Sequence, residues 1–356
     1  MKQNSESLKL STNPGKFDPV APWFDVLESV GEFVGIRFGR VSPSGGAPEW
    51  MFLSHAEYDG IGGLAHLLRE RGASVGELPK ITHPGRLSWW PFIRFLPTML
   101  GSRRSLEWRQ LKTGGTAGAI GNTPAAVAFH VFDEDTTAQI RRAARSAGVS
   151  VNSFLMKYLD RSIRPALVNP ASAIPWMIPV NLRGIVTQPD DTGNHSSYVG
   201  IRIFASEGVQ DVHRRIYKAI RRREHIATWK GFDATRLTSV SMKKRLIRSN
   251  RATSQWAVGG FSNLGEWDPE KKITAPACLG DWLFAPPVLR FQAIGAGCIT
   301  FQGRLSLTLQ IHPELTTSTE VATEWMRSWV REIALCLPDG GQETGSKDEP
   351  QQDRNL

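Results

Sequence analysis

Cysteine is scarce: Cys278, Cys298 and Cys336 are the only three in 356 residues. They are too few and too scattered for a disulfide framework, and they lack the paired spacing of a zinc site, so buried free thiols are expected. No apolar run approaches the roughly 18 residues that a transmembrane helix needs, which excludes a membrane-spanning body. Met1 to Lys16 contain no apolar stretch leading to a small-residue cleavage site, so no secretory signal is expected and the cytoplasm is the expected location. Acidic residues are in deficit, with 34 Asp and Glu against 43 Lys and Arg, for a formal net charge of +9. Such a surface attracts anions: phosphorylated cofactors, acidic carrier proteins or anionic membrane. No zinc finger, helix-turn-helix pattern or aromatic RNA-binding motif accompanies the charge, which excludes a sequence-specific nucleic-acid role. Internal repeats with a period of about 20 to 50 residues are absent as well.

What is present alternates between strand and helix patterns. Phe33 to Val41 and Glu49 to Ser54, separated by Ser42-Pro-Ser-Gly-Gly46, read as a strand pair joined by a turn. Asp59-Gly-Ile-Gly-Gly63 then leads into a helix with Ile61, Leu64 and Leu68 on one face. Residues 76–122 break the pattern, interleaving Pro79, Pro84, Pro91 and Pro97 with Trp89, Trp90, Phe92, Phe95 and Trp108. This stretch reads as a linker or lid. Its aromatic, arginine-dotted part, 87–100, suits either packing across the protein's own body or peripheral contact with a membrane.

A second unit opens with a strand from Ala125 to Phe132. Asp133 caps a helix ending near Gly148, and another helix follows at once with Val151, Phe154, Leu155, Leu159 and Ile163 in one stripe. Further strands are expected at Trp176 to Leu182, Tyr198 to Phe204, Trp256 to Phe261, Asp281 to Phe284, Ala293 to Phe301 and Leu305 to His312. Helices are expected at about 209–227 and 236–250, and in a closing helix with Val321, Trp325, Trp329 and Ile333 at four-residue steps. Residues 1–16 and 338–356 read as disordered, polar ends.

Chemistry concentrates in His55-Ala-Glu-Tyr-Asp59-Gly60. A histidine supplies a base near neutral pH, and a carboxylate four residues on can fix the loop without moving a proton. A turn histidine followed by a helix-capping aspartate fits the same spacing. His130, His195 and His312 lie in or beside apparent strands without metal-ligand spacing and read as structural.

Several segments together resemble one superfamily, that of chloramphenicol acetyltransferase, condensation domains, wax ester synthases and plant acyltransferases. Leu53-Ser-His55-Ala-Glu-Tyr-Asp59-Gly60 looks like the superfamily's His-x-x-x-Asp-Gly loop, with Ser54 where condensation domains usually show a second histidine. Ile178-Pro-Val-Asn-Leu-Arg183, Gly193-Asn194 before a strand, and Phe261-Ser262-Asn263-Leu-Gly265 resemble its later motifs, and Leu305 to His312 with the closing helix resembles its end.

The resemblance implies an α/β fold of the α+β type: two chloramphenicol acetyltransferase-like sandwich halves of mixed sheets with flanking helices, the N-terminal half abbreviated. On that division, 17–75 form the shortened first half bearing the histidine loop, 76–122 the linker, and 123–337 the C-terminal half. It further implies an acyltransferase in which His55 deprotonates a hydroxyl or amine that attacks a thioester. Ser262 donates to the oxyanion, and Asp59 is a structural strut paired with Arg183. Gly60, Arg183, Asn194 and Asn263 shape the substrate site. No cofactor is permanently bound; acyl-CoA or a phosphopantetheinyl carrier is the co-substrate. A shortened first half also fits a homo-oligomer in which another subunit completes the site.

The basic stretch Arg214, Arg215, Lys218, Arg221, Arg222, Arg223, Lys243, Lys244, Arg245, Arg248 and Arg251 carries a competing expectation. Val209, Val212, Ile216 and Ile220 share one helical face and leave the basic residues on the other. That face is either solvated or an anion dock. In the second case the chain could be a noncatalytic, condensation-like module that holds a carrier protein or biosynthetic partner.

Overall fold

The computed structural model describes residues 19–81, 88–94, 106–109, 111, 126–186, 188, 190–248, 257–267 and 275–337. The two chain ends and most of the linker assigned above to 76–122 lie outside the described residues.

The first elements are α1 (Ala21–Ser29), β1 (Gly35–Val41), β2 (Glu49–Ser54) and α2 (Gly60–Glu70). Further along the chain come β3 (Ala126–Val131), α3 (Glu134–Ser146), α4 (Val151–Ile163), β4 (Ile174–Asn181) and β5 (Ser196–Ile203). Next are α5 (Val209–Arg221), α6 (Glu224–Ala234), α7 (Val240–Arg248) and β6 (Gly259–Trp267). The chain closes with β7 (Asp281–Ala285), β8 (Ile294–Phe301), β9 (Arg304–Ile311) and α8 (Thr319–Ala334). The expected α/β class with mixed sheets and flanking helices is what the chain adopts.

The strands form two sheets, one of order β2-β1-β7 and one of order β3-β9-β8-β6-β4-β5. In the larger, β6 runs parallel to β4 and β8 while the other pairings are antiparallel. Its helix-covered face holds the main core, where Leu307, Leu309 and Ile311 of β9 meet Trp325, Trp329 and Ile333 of α8. A second core joins the small sheet to α2 through Ile36, Phe38, Leu64, Leu68, Trp282 and Phe284.

The small sheet lies on the other face of the large one. Strand β7 comes so close to β8 that a Cβ on Gly297 would sit 2.1 Å from the Phe284 carbonyl oxygen, so glycine there is a packing requirement. Ser306 Oγ donates to the Trp282 carbonyl at 2.6 Å, and Arg37 Nε on β1 donates to Gln310 Oε1 on β9 at 3.0 Å.

Several expectations need correcting. Helix α1 was not foreseen, although Pro22 at its start and Trp23, Val26 and Leu27 at helical spacing carry the signal. The helix expected at 209–227 is two helices, because Arg223 adopts the left-handed conformation, φ 57°, and breaks the hydrogen-bond ladder between α5 and α6. The strand expected at Trp256 to Phe261 runs Gly259–Trp267, so Ser262 and Asn263 fall within it. A register irregularity between Asn263 and Glu266 lets β6 continue past them. Cys278 and Cys298 are buried free thiols as expected, but Cys336 is exposed.

Pro175 and Pro179 sit inside β4 at positions of the same parity. The Pro175 carbonyl accepts from Val258 N at 2.8 Å, so both missing N–H groups face away from β5 and leave that ladder intact. Between α2 and β3, Trp108 stacks on Trp325 with ring centroids 6.1 Å apart. Trp89, Trp90 and Ile93 are exposed. No helix among the described residues is long and apolar enough to cross a membrane.

Candidate active site

The histidine loop is a tight turn between β2 and α2. Tyr58 N and Glu57 N both donate to the Ser54 carbonyl, at 3.0 and 3.2 Å, and Asp59 then caps α2 with its Oδ1 accepting from Gly62 N at 2.7 Å. The capping reading of Asp59 is therefore realised, but it accounts for only one of four bonds to this carboxylate. Arg183 reaches it with both terminal nitrogens, at 2.8 Å to Oδ2 and 3.0 Å to Oδ1, and His195 N donates to Oδ2 at 2.9 Å. Asp59 and Arg183 are each 3% exposed. A buried charge in this setting is tolerable because every lone pair has a donor and the countercharge is bidentate.

Arg183 also fastens the loop preceding β5. Its Nε donates to the Asp191 carbonyl at 2.9 Å and its Nη2 to that of Gly193 at 3.2 Å. Asn194 completes the bracket, its Nδ2 donating to the His55 carbonyl at 2.9 Å. The backbone of residues 191–194 thus lies directly on the start of α2. A Cβ on Gly62 would be 1.9 Å from the Thr192 carbonyl oxygen, so only glycine allows this approach.

His55 Nδ1 lies 2.8 Å from the Tyr58 carbonyl oxygen. A carbonyl can only accept, so in the neutral ring Nδ1 carries the hydrogen and Nε2 keeps the lone pair. Desolvation by burial is the largest influence on this imidazole and pulls its pKa below the ordinary histidine value, with the Tyr58 bond and Asp59 opposing. The ring packs on Phe24 of α1, with centroids 4.5 Å apart and planes inclined at 33°. Helix α1 is itself anchored through Trp23, whose Nε1 donates to Thr235 Oγ1 at 2.8 Å and whose ring lies under Lys243.

Of the residues singled out in the sequence, His55, Asp59, Gly60, Arg183 and Asn194 belong to one bonded or packed unit. Ser262 and Asn263 are not joined to the loop by a hydrogen bond among the described residues. Ser262 pairs with Gly297 of β8, and Asn263 Oδ1 accepts from Gly265 N at 2.8 Å. Their link to the loop is packing: Leu264, on the same side of β6 as Ser262 by strand alternation, presses on Gly60, where an added Cβ would meet its Cδ2 at 2.6 Å.

Three contributors escaped sequence reasoning. Phe24 lies in the unforeseen helix, the His195 amide is a backbone group with no sequence signal, and Thr192 acts through its carbonyl. His312 Nε2 lies 3.4 Å from Glu32 Oε2, and no group of three metal-ligating side chains occurs among the described residues.

These features define a class of fold: the two-sheet architecture is that of condensation domains and chloramphenicol acetyltransferase-like acyltransferases. Among solved structures with this fold, trichothecene 15-O-acetyltransferase from Fusarium sporotrichioides superposes with a TM-score of 0.54 at 13% identity, covering 83% of this chain and 67% of that one. Polyketide synthase associated protein 5 from Mycobacterium tuberculosis gives 0.50 at 15% identity, over 82% and 74%. The EpoB cyclization-docking bidomain from Sorangium cellulosum gives 0.53 at 8% identity, over 81% and 59%. No protein-family model and no curated protein sequence matches the chain.

Proposed function

We propose that this protein is an acyltransferase that moves an acyl group from a thioester, on coenzyme A or on a carrier protein, to a hydroxyl or amine. The observation that carries the proposal is the state of His55: one ring nitrogen is committed to the Tyr58 carbonyl, which leaves the other free as a base. Burial keeps the ring neutral, and the backbone beneath it is fixed by the Asp59–Arg183 pair and by Asn194. That is the arrangement a general base needs. Its Nε2 accepts the proton of the acceptor nucleophile, the nucleophile adds to the thioester carbonyl, and the tetrahedral oxyanion collapses with cleavage of the C–S bond as His55 returns that proton to the leaving sulfur. Ser262 is assigned as oxyanion donor, a role worth a few kcal/mol of barrier reduction in a dry site. Asp59 and Arg183 hold shape and do not touch the reacting atoms.

The fold neighbours support this assignment at the level of class, since one of them is named as an O-acetyltransferase. A second proposal, a noncatalytic module docking a carrier protein, draws on the exposed run Arg221, Arg222 and Arg223. The deciding experiment measures free-thiol release from acyl-CoA substrates in the presence of alcohols and amines. His55→Ala is expected to keep the fold and abolish acceptor-dependent release. Release at the wild-type rate would refute the assignment of His55.

A further inference from the structure

We infer that a second site, between the two sheets and centred on Arg37, binds a small apolar carboxylate. Arg37 is 5% exposed. Among the described residues the only hydrogen bond of its side chain is Nε to Gln310 Oε1, at 3.0 Å, and no carboxylate pairs with it. Its guanidinium lies instead over two aromatic rings, 4.7 Å from the centroid of Phe52 and 5.3 Å from that of Trp50. Natural proteins rarely leave a buried cation without an anion, because its desolvation is then uncompensated. Burial alone lowers this guanidinium to about 10, which is the same lack of a countercharge seen from the proton's side.

A second group nearby lacks a partner. The Thr308 hydroxyl is buried without a hydrogen bond. Leu307 and Leu309 enter the helix-side core while Ser306 and Gln310 reach the small sheet, so Thr308, between them in parity, faces the same layer as Arg37. It lies two residues from Gln310, about 7 Å along the strand. Phe129 is its direct cross-strand partner on β3, and the Phe129 ring sits 6.3 Å from that of Trp50. Arg37, Gln310, Thr308, Phe129 and Trp50 therefore close a ring, with Phe52 as its apolar lip.

The lining selects the ligand. One guanidinium balances one negative charge, and a single further hydroxyl cannot satisfy the oxygens of a phosphate dianion. A carboxylate needs only these donors, and Trp50, Phe52 and Phe129 offer apolar surface to whatever carries it. Among the described residues no hydrogen bond joins this cluster to the His55 loop, and the inference does not depend on the proposed reaction.

The test compares charged and neutral isosteres on the full chain. Benzoate and hexanoate should raise the thermal unfolding midpoint and bind saturably by calorimetry, whereas benzamide and hexanamide should not. Arg37→Met should weaken benzoate binding by about tenfold or more, and Thr308→Val should weaken it less. Equal responses to benzoate and benzamide would overturn the proposal, as would unchanged benzoate binding in Arg37→Met. A response to inorganic phosphate equal to that of benzoate would overturn the carboxylate assignment. If Arg37→Met does not fold, the benzoate and benzamide comparison on the wild type together with Thr308→Val decides the matter.

Discussion

Replacing Arg183 by methionine keeps most of the side-chain volume and removes the charge that faces Asp59. Two of the four donors to the carboxylate go with it, leaving Gly62 N and His195 N. Stripping the partner from a buried ion pair costs roughly 3–5 kcal/mol. The two surviving backbone donors place this case near the lower figure, at about 3 kcal/mol. The carbonyls of Asp191 and Gly193 lose a donor as well, which works against that relief. Because whole domains are stable by only about 5–15 kcal/mol, the change should be plain in a urea unfolding curve. Asp59→Asn in the same background removes the stranded charge, so the double variant should recover part of the loss and show a coupling of about 1–3 kcal/mol in a double-mutant cycle. An Arg183→Met variant within about 1 kcal/mol of wild type, or a double variant whose loss equals the sum of the singles, would refute the claim that this pair braces the loop.

Other expectations are narrower. A histidine held neutral by burial resists protonation, so the acid limb of acyl transfer should fall below the ordinary histidine value of about 6.5. The ring's contribution to folding should be complete above that value and fade as the pH drops beneath it, and a pH–rate profile with its midpoint above 7 would contradict this. Gly62→Ala should destabilise by more than about 1 kcal/mol, since its new methyl would meet the Thr192 carbonyl, whereas an unchanged melting temperature would show that the 191–194 loop yields. Arg223→Gly should stabilise by about 0.5–1 kcal/mol by relieving the left-handed conformation between α5 and α6, measured as a rise in melting temperature.

Most of the elements were legible because their signals are local. Periodicity placed α4 and α8, and a side-chain cap marked α3 through Asp133, while the cap of α4 by Ser150 emerged only in the structure. The break at Arg223 was not legible, because nothing in an arginine announces a positive φ. The extension of β6 was hidden for a different reason: β4 pairs with it only at Gly259 and Gly260, and beyond them it is pairing with β8, resumed at Glu266 after an irregularity that includes Gly265 at φ 80°, that carries the strand to Trp267. At the site, Asp59 and Arg183 stood out as residue types suited to pairing, yet their separation of 124 positions carries no local signal. Resemblance to a superfamily joined them. The Phe24 contact and the backbone donors to Asp59 depend on tertiary packing alone, and no one-dimensional pattern encodes them.

Strand β7 has a consequence for how the chain is made. It is synthesised about 250 residues after β1, the strand it completes, with Arg37 opposite Ala285 in register. Until the ribosome has passed that point, β1 and β2 form only a hairpin with an open edge, so the small sheet, and with it the footing of the histidine loop, closes late. A fragment ending after α2 should not fold by itself. Supplied separately, residues 19–81 and the rest of the chain should instead behave as complementing fragments that gain structure only on association.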